Sequence, residues 1–105
     1  MQFVETPIFT RRVRELLSDD DYRTLQIALM LRPEQGRLIK RSGGLRKVRW
    51  NASGTGKRGG VRVIYCRRGA EQVIYMLFAY AKTTQEDLTP NQLRALARVV
   101  RAELK

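Results

Sequence analysis

The sequence contains no histidine and a single cysteine, Cys66. Without an imidazole, serine and cysteine triads in their histidine-dependent forms are excluded, because each needs a ring base beside the nucleophile. An ordinary zinc site is excluded too, since zinc takes several Cys or His ligands. A lone cysteine closes no internal disulfide, which fits a reducing compartment. Acids are absent from a long stretch, with none between Gly36 and Ala70. A magnesium nuclease clusters carboxylates around its metal, and this stretch offers none. Long apolar runs are missing as well: nothing approaches the roughly 18 residues that a membrane helix needs. The opening MQFVETPIF has neither the basic start nor the apolar run of a secretory signal. The expectation is a cytoplasmic protein that uses no metal or cofactor.

What the sequence does have is positive charge, placed locally. Among 105 residues, 21 are Lys or Arg and 10 are Asp or Glu, for a formal net charge of +11. The acid-free stretch carries Arg37, Lys40, Arg41, Arg46, Lys47, Arg49, Lys57, Arg58, Arg62, Arg67 and Arg68. Acids and bases balance over the rest of the chain, so the whole excess resides here. Solubilising charge mixes both signs, whereas a one-signed block marks a surface that seeks a polyanion. The block shows no helical pattern with bulky apolar residues opposite its charges, so a membrane is not the expected partner.

The length suits one domain with a single core, spanning residues 1–105. Gln2 to Glu5 reads as a short strand. Thr6-Pro7 reads as an N-cap followed by proline at the first helical position, with Phe9, Val13 and Leu16 or Leu17 on one stripe. Ser18-Asp19-Asp20-Asp21 starts a second helix, its apolar face formed by Tyr22, Leu25, Ala28 and Leu29. The three aspartates are better read as capping and dipole residues than as metal ligands. After a connecting stretch from Arg32 to Gly44 come three antiparallel strand candidates, Leu45–Trp50, Val61–Arg68 and Gln72–Tyr80. A last helix opens with the capping box Thr89-Pro90-Asn91-Gln92 and aligns Leu93, Leu96, Ala97, Val100 and Leu104. The expected fold is α+β: an N-terminal strand and two-helix hairpin packed on an antiparallel sheet, with a C-terminal helix.

Strand periodicity places Lys47 and Arg49 on one face with Leu45, and Val48 and Trp50 on the other with Arg46. In the next strand Val61, Val63 and Tyr65 alternate with Arg62, Ile64 and Cys66. If helices cover one face, the cations of the other form a concave platform whose tyrosines offer rings for base stacking. Taken singly, Trp50, Tyr65 and Tyr75 read better as core. The loop Ser53–Gly60 is not a Walker loop: Asn51 stands where the first glycine belongs, and Arg58 where Ser or Thr must follow Lys57. It reads as a basic loop that grips a nucleic-acid backbone. The chemistry left open is metal-free RNA cleavage, in which a ribose 2′-oxygen attacks the adjacent phosphate. Lys, Arg and Tyr can supply the proton transfers and charge stabilisation if crowding by like charges lowers a lysine or tyrosine pKa.

Two basic blocks, Gly44-Leu45-Arg46-Lys47-Val48-Arg49 and Gly56-Lys57-Arg58-Gly59-Gly60-Val61-Arg62-Val63-Ile64-Tyr65, resemble RelE-superfamily toxins, nearest the HigB branch. Tyr80-Ala81-Lys82 through Asp87-Leu88-Thr89, leading into the last helix, extends the resemblance. It implies a type II toxin that enters the A site of the 70S ribosome and cuts mRNA there, and a cognate antitoxin of helix-turn-helix type. By position, Lys47 and Arg49 match the family's strand cations, and Arg62 matches its phosphorane-stabilising arginine. Lys57 and Arg58 match contacts to ribosomal RNA or message, a role we extend to Arg37, Lys40, Arg41, Arg46, Arg67 and Arg68. Where family members carry a histidine or tyrosine with an arginine beyond the last strand, this chain reads Thr83–Leu88, and Tyr80 and Lys82 are the substitutes for acid and base. Two other functions fit the same block: a ParE-type poison of DNA gyrase, and a non-catalytic RNA-binding module. Fold alone does not choose among the three.

Overall fold

The computed structural model describes residues 2–51, 60–69 and 72–103. Its elements in chain order are β1 (Gln2–Glu5), α1 (Pro7–Leu16), α2 (Asp19–Leu31), β2 (Arg37–Leu38), β3 (Arg46–Trp50), β4 (Val61–Arg68), β5 (Val73–Ala81) and α3 (Pro90–Glu103). Local chemistry fixes the helix starts. Thr6 accepts from the Phe9 amide at 3.1 Å with Pro7 behind it, and Ser18 accepts from the Asp21 amide at 3.1 Å. At α3 the box closes in both directions: Gln92 N–H donates to Thr89 Oγ1 at 3.1 Å, and Thr89 N–H to Gln92 Oε1 at 3.0 Å. None of the described helices is long and apolar enough to cross a membrane.

The sheet runs β1-β5-β4-β3-β2. β2 through β5 are antiparallel neighbours, as expected, but β1 lies parallel to β5, so the sheet is mixed. The helical hairpin between β1 and the rest returns the chain to the end toward which β1 runs, so that β2 starts there and runs antiparallel to β1. β2, two residues inside the stretch read as a connection, pairs Arg37 with Lys47 and Leu38 with Arg46. A two-residue strand has too little alternation to stand out in a sequence.

Both faces of the sheet are packed. On one, Phe9, Val13, Leu17, Leu25 and Leu29 from the α1–α2 hairpin meet Val48, Val61, Val63, Tyr65, Ile74 and Met76. On the other, α3 presents Leu93, Leu96 and Val100 to Leu45, Ile64, Cys66, Leu77 and Phe78. Every residue of β4 from Val61 to Cys66 is therefore buried. This corrects the expectation of helices on one face only: α3 takes up most of the supposed platform and leaves open only the end nearest Arg62. Tyr65, read singly as core, lies in the core. Tyr65 is fully buried on the α1–α2 side, its hydroxyl donating to the Pro33 carbonyl at 2.7 Å and accepting from the Gly36 amide at 2.9 Å. A Cβ on Gly36 would lie 2.7 Å from the Tyr65 ring, so that close approach requires glycine.

One irregularity matters for the site. Ile64 pairs with Phe78, but Tyr65 pairs with Met76, which leaves Leu77 as an extra residue in β5. Leu77 and Phe78, adjacent in sequence, both pack toward α3.

Candidate functional site: a cationic cavity at the open end of the sheet

The sheet register assembles a row of charge. Arg49 of β3 stands opposite Arg62 of β4, which stands opposite Tyr80 of β5. Alongside, Arg37 of β2 stands opposite Lys47 of β3. Like charges placed directly across a ladder destabilise it, so their concentration at one end of a small sheet points to function. Together Arg37, Lys47, Arg49, Arg62 and Lys82, with Glu86 and Asp87, line an open cavity of about 390 Å³.

Arg62 is the buried member, at 5% exposure, while Arg49 is exposed at the lip. A buried guanidinium held in an apolar sheet is a preorganised cation, which strengthens its attraction for an incoming phosphate. Lys82 begins the turn after β5, and its amide donates to the Gly60 carbonyl at 3.2 Å, tying the two strand ends together.

Asp87 organises the opposite wall. Its Oδ1 accepts from Lys47 Nζ at 3.2 Å, from the Leu88 amide at 2.9 Å and from the Tyr80 hydroxyl at 3.4 Å. Desolvation alone would raise the Asp87 carboxyl, but the Leu88 amide, the Lys47 ammonium and the Tyr80 hydroxyl outweigh it and hold the pKa below the usual carboxylate value. Tyr80 moves the other way. Burial, then the Asp87 charge, push its pKa up to about 12, with Arg62 only partly offsetting them. This reverses the expectation that crowded cations would lower a tyrosine here. Tyr80 keeps its proton at neutral pH and acts as a donor.

A pH consequence follows from these directions. Asp87, lowered on folding, contributes stability that is complete above the ordinary carboxylate pKa and is lost as pH falls through its lower folded value. Asp87→Asn should remove that acid-side component. It should also drop the Tyr80 pKa below about 12, because an adjacent negative charge is gone. Ultraviolet titration of the tyrosines in parent and variant reads the shift directly, and an unmoved Tyr80 would mean that the carboxylate is not felt there.

Of the expected site residues, Arg37, Lys47, Arg49, Arg62 and Lys82 come together in the cavity, and Tyr80 joins them through Asp87. Arg46 does not. It lies on the α1–α2 side and donates to the Glu34 carbonyl at 3.1 Å and the Gly36 carbonyl at 2.8 Å, fastening the link from α2 to β2. Arg68 sits at the far end of β4, about 20 Å along the strand, and donates to the Gly43 carbonyl at 2.5 Å. Arg67, Lys40 and Arg41 are exposed and outside the cavity lining. Lys57 and Arg58, with most of the glycine-rich loop, lie outside the described residues. Asp87 was not foreseen as a site residue. Its signal was an acid returning from the end of β5 toward a block of cations that has no acid of its own. Among the described residues no group of three or more His, Cys, Asp or Glu is placed to hold a metal ion.

Comparison with known proteins bears on the fold and the family. A solved structure of a mutant of the E. coli toxin RelE in the free state superposes with a TM-score of 0.61 at 13% identity, covering 96% of each chain. At that identity the likeness speaks for the fold. The sequence profile of the family described as the RelE toxin of the RelE/RelB toxin-antitoxin system matches residues 1–104. A cationic cavity on this fold, matched by that profile over nearly its whole length, places the chain in the RelE family of toxins.

Proposed function

We propose that this toxin is a ribosome-dependent endoribonuclease of the RelE/HigB type that cuts mRNA in the A site without a metal and halts translation in the cytoplasm. The observation that carries the reading is the buried Arg62 guanidinium between Arg49 and Tyr80, facing a cavity rimmed by Lys47 and Lys82. In the proposed reaction the ribose 2′-oxygen bonds to the adjacent phosphorus and the bond to the 5′-oxygen breaks. The products are a 2′,3′-cyclic phosphate and a 5′-hydroxyl. Arg62, Arg49 and Lys47 meet the charge that gathers on the phosphorane oxygens. Tyr80, protonated across the working range, donates, and Lys82 takes the remaining proton-transfer role. Asp87 holds Lys47 and Tyr80 in register. So sparse a site gains much from a ribosome that fixes the RNA for in-line attack.

The partners in this reading are mRNA, the 70S ribosome with its ribosomal RNA, and a cognate antitoxin of helix-turn-helix type. The toxin acts as one unit over residues 1–105. The strand cations favour cleavage over ParE-type gyrase poisoning, because that activity has no use for a phosphorane pocket. Cleavage of message in magnesium-containing translation buffer, with and without translating ribosomes, tests the proposal by mapping 5′ ends. Cuts within codons only when ribosomes are present are the expected result. Intact message in both tubes would leave gyrase poisoning or plain RNA binding.

A further inference from the structure

Asp87 is an unlikely-looking anchor for a site. It lies in the segment between β5 and α3, which carries no helix or strand, and its side chain is 67% exposed. Ordering such a residue costs conformational entropy that its own contacts must offset. Those contacts are modest. The Leu88 amide belongs to the next residue and moves with it, the Tyr80 hydroxyl is 3.4 Å away, and Lys47 is a long side chain. Something must therefore hold the backbone of Asp87 before its carboxylate can hold anything else.

Gln85 does so. Its amide nitrogen Nε2 donates to the Asp87 carbonyl at 2.8 Å and to Gln92 Oε1 at 2.9 Å, which uses both N–H groups of the side chain. The orientation is forced at each end. The Asp87 carbonyl can only accept, so a nitrogen must face it. Gln92 Oε1 already accepts from the Thr89 amide at 3.0 Å, so it too is an acceptor and needs a donor from Gln85. Gln85 is half-buried, and its own backbone N–H donates to the Ala81 carbonyl at 3.2 Å, at the end of β5. Gln92 belongs to the first turn of α3, which Leu93, Leu96 and Val100 seat on the sheet. A continuous path of contacts thus runs from packed helix to Gln92, Gln85, the Asp87 backbone and the Asp87 carboxylate, where it divides to Lys47 and Tyr80.

We infer that Gln85 is a positioning residue of this site, fixing Asp87 to the first turn of α3 and, through Asp87, holding the Lys47 ammonium and the Tyr80 hydroxyl in place. Gln85 itself does not line the cationic cavity. Its effect on cleavage rests on the function proposed above; its effect on Tyr80 does not.

The test uses the full chain. Gln85→Met keeps the length of the side chain and removes both donors. Single-turnover cleavage on programmed ribosomes should fall about 10- to 100-fold, the cost of a small misplacement at a reacting centre, with ribosome binding unchanged. Gln92→Met removes one anchor and should reproduce part of the loss, whereas Gln92→Glu still accepts both N–H groups and should restore cleavage. Ultraviolet titration, with Tyr80→Phe as the reference that isolates this ring, should show Tyr80 moving down in Gln85→Met, in the direction of Asp87→Asn but less far. Added to Asp87→Asn, Gln85→Met should have little further effect on either quantity, because it acts through the group already removed. A lowered melting temperature with Tyr80 unmoved would overturn the proposal and leave Gln85 a brace for α3 only. Full additivity with Asp87→Asn would overturn it as well. If the parent cuts no message, the ribonuclease reading falls and the Tyr80 titration alone decides: a shift in Gln85→Met upholds the positioning role, and none removes it.

Discussion

Arg62→Ala should lower ribosome-dependent message cleavage by about 10²- to 10³-fold, the usual cost of removing one preorganised donor from a developing anion. Binding to ribosomes should change little, since the exposed cations that dominate long-range attraction remain. The prediction is sharp because Arg62 is buried, whereas Arg49 and Lys82, which line the same cavity, are exposed. Arg62→Lys keeps a charge but loses the planar fork that spans two phosphate oxygens, so most of the defect should persist. Single-turnover cleavage of programmed ribosomes, run beside a ribosome pelleting assay, separates the two quantities. Parallel loss of cleavage and binding would mean that Arg62 serves attraction alone, as in a non-catalytic RNA-binding module.

The second large effect should come from a residue with no side chain. Gly60 sits at φ +67°, and a Cβ there would lie 2.5 Å from Asn51 Oδ1 and 2.7 Å from the Trp50 carbonyl. The left-handed conformation alone costs an L-residue about 1–2 kcal/mol. The Trp50 contact is with backbone of β3 and cannot swing away. Gly60→Ala should therefore lower the melting temperature by roughly 10 °C, given the usual sensitivity for a domain of this size. Activity should fall by more than the folded fraction explains, because the Gly60 carbonyl receives the Lys82 amide and sets where that lysine enters the cavity. Calorimetry and cleavage on the same preparations check both halves. A melting temperature equal to the parent's would show that the 50–60 connection relaxes around the methyl group.

Much of this was legible in the sequence, and the failures have physical causes. The helix starts were readable because Thr6-Pro7, Ser18 and Thr89–Gln92 act within one turn, where sequence neighbours are spatial neighbours. The faces of β3 and β4 followed from alternation alone. What alternation could not show was the second covering of β4. Arg62, Ile64 and Cys66 are polar and apolar in mixture, and only α3 folding back onto Leu45 and Leu77 reveals that two of the three are core. Arg46 misled for a related reason: its charge is spent on backbone carbonyls of the α2–β2 link, a contact spanning twelve residues at its longest. Tyr80 lies at the end of the last strand, as expected, but its pKa moves up where crowded cations would have lowered it, because the carboxylate that helps to raise it arrives from beyond the strand.

The extra residue at Leu77 also bears on how such toxins can diverge. It changes the parity of β5: Ile74 and Met76 point to the α1–α2 core, yet Tyr80 shares the face of Arg62, an even-numbered residue on the opposite side. Deleting Leu77 would restore unbroken pairing, with Phe78 still opposite Ile64 and Tyr80 still opposite Arg62. The face of Tyr80 is therefore set by its pairing with β4, and the extra residue serves α3, to which it adds a second apolar neighbour beside Phe78. The strand can thus lose a residue on the α3 side without moving Tyr80 off the row it shares with Arg62.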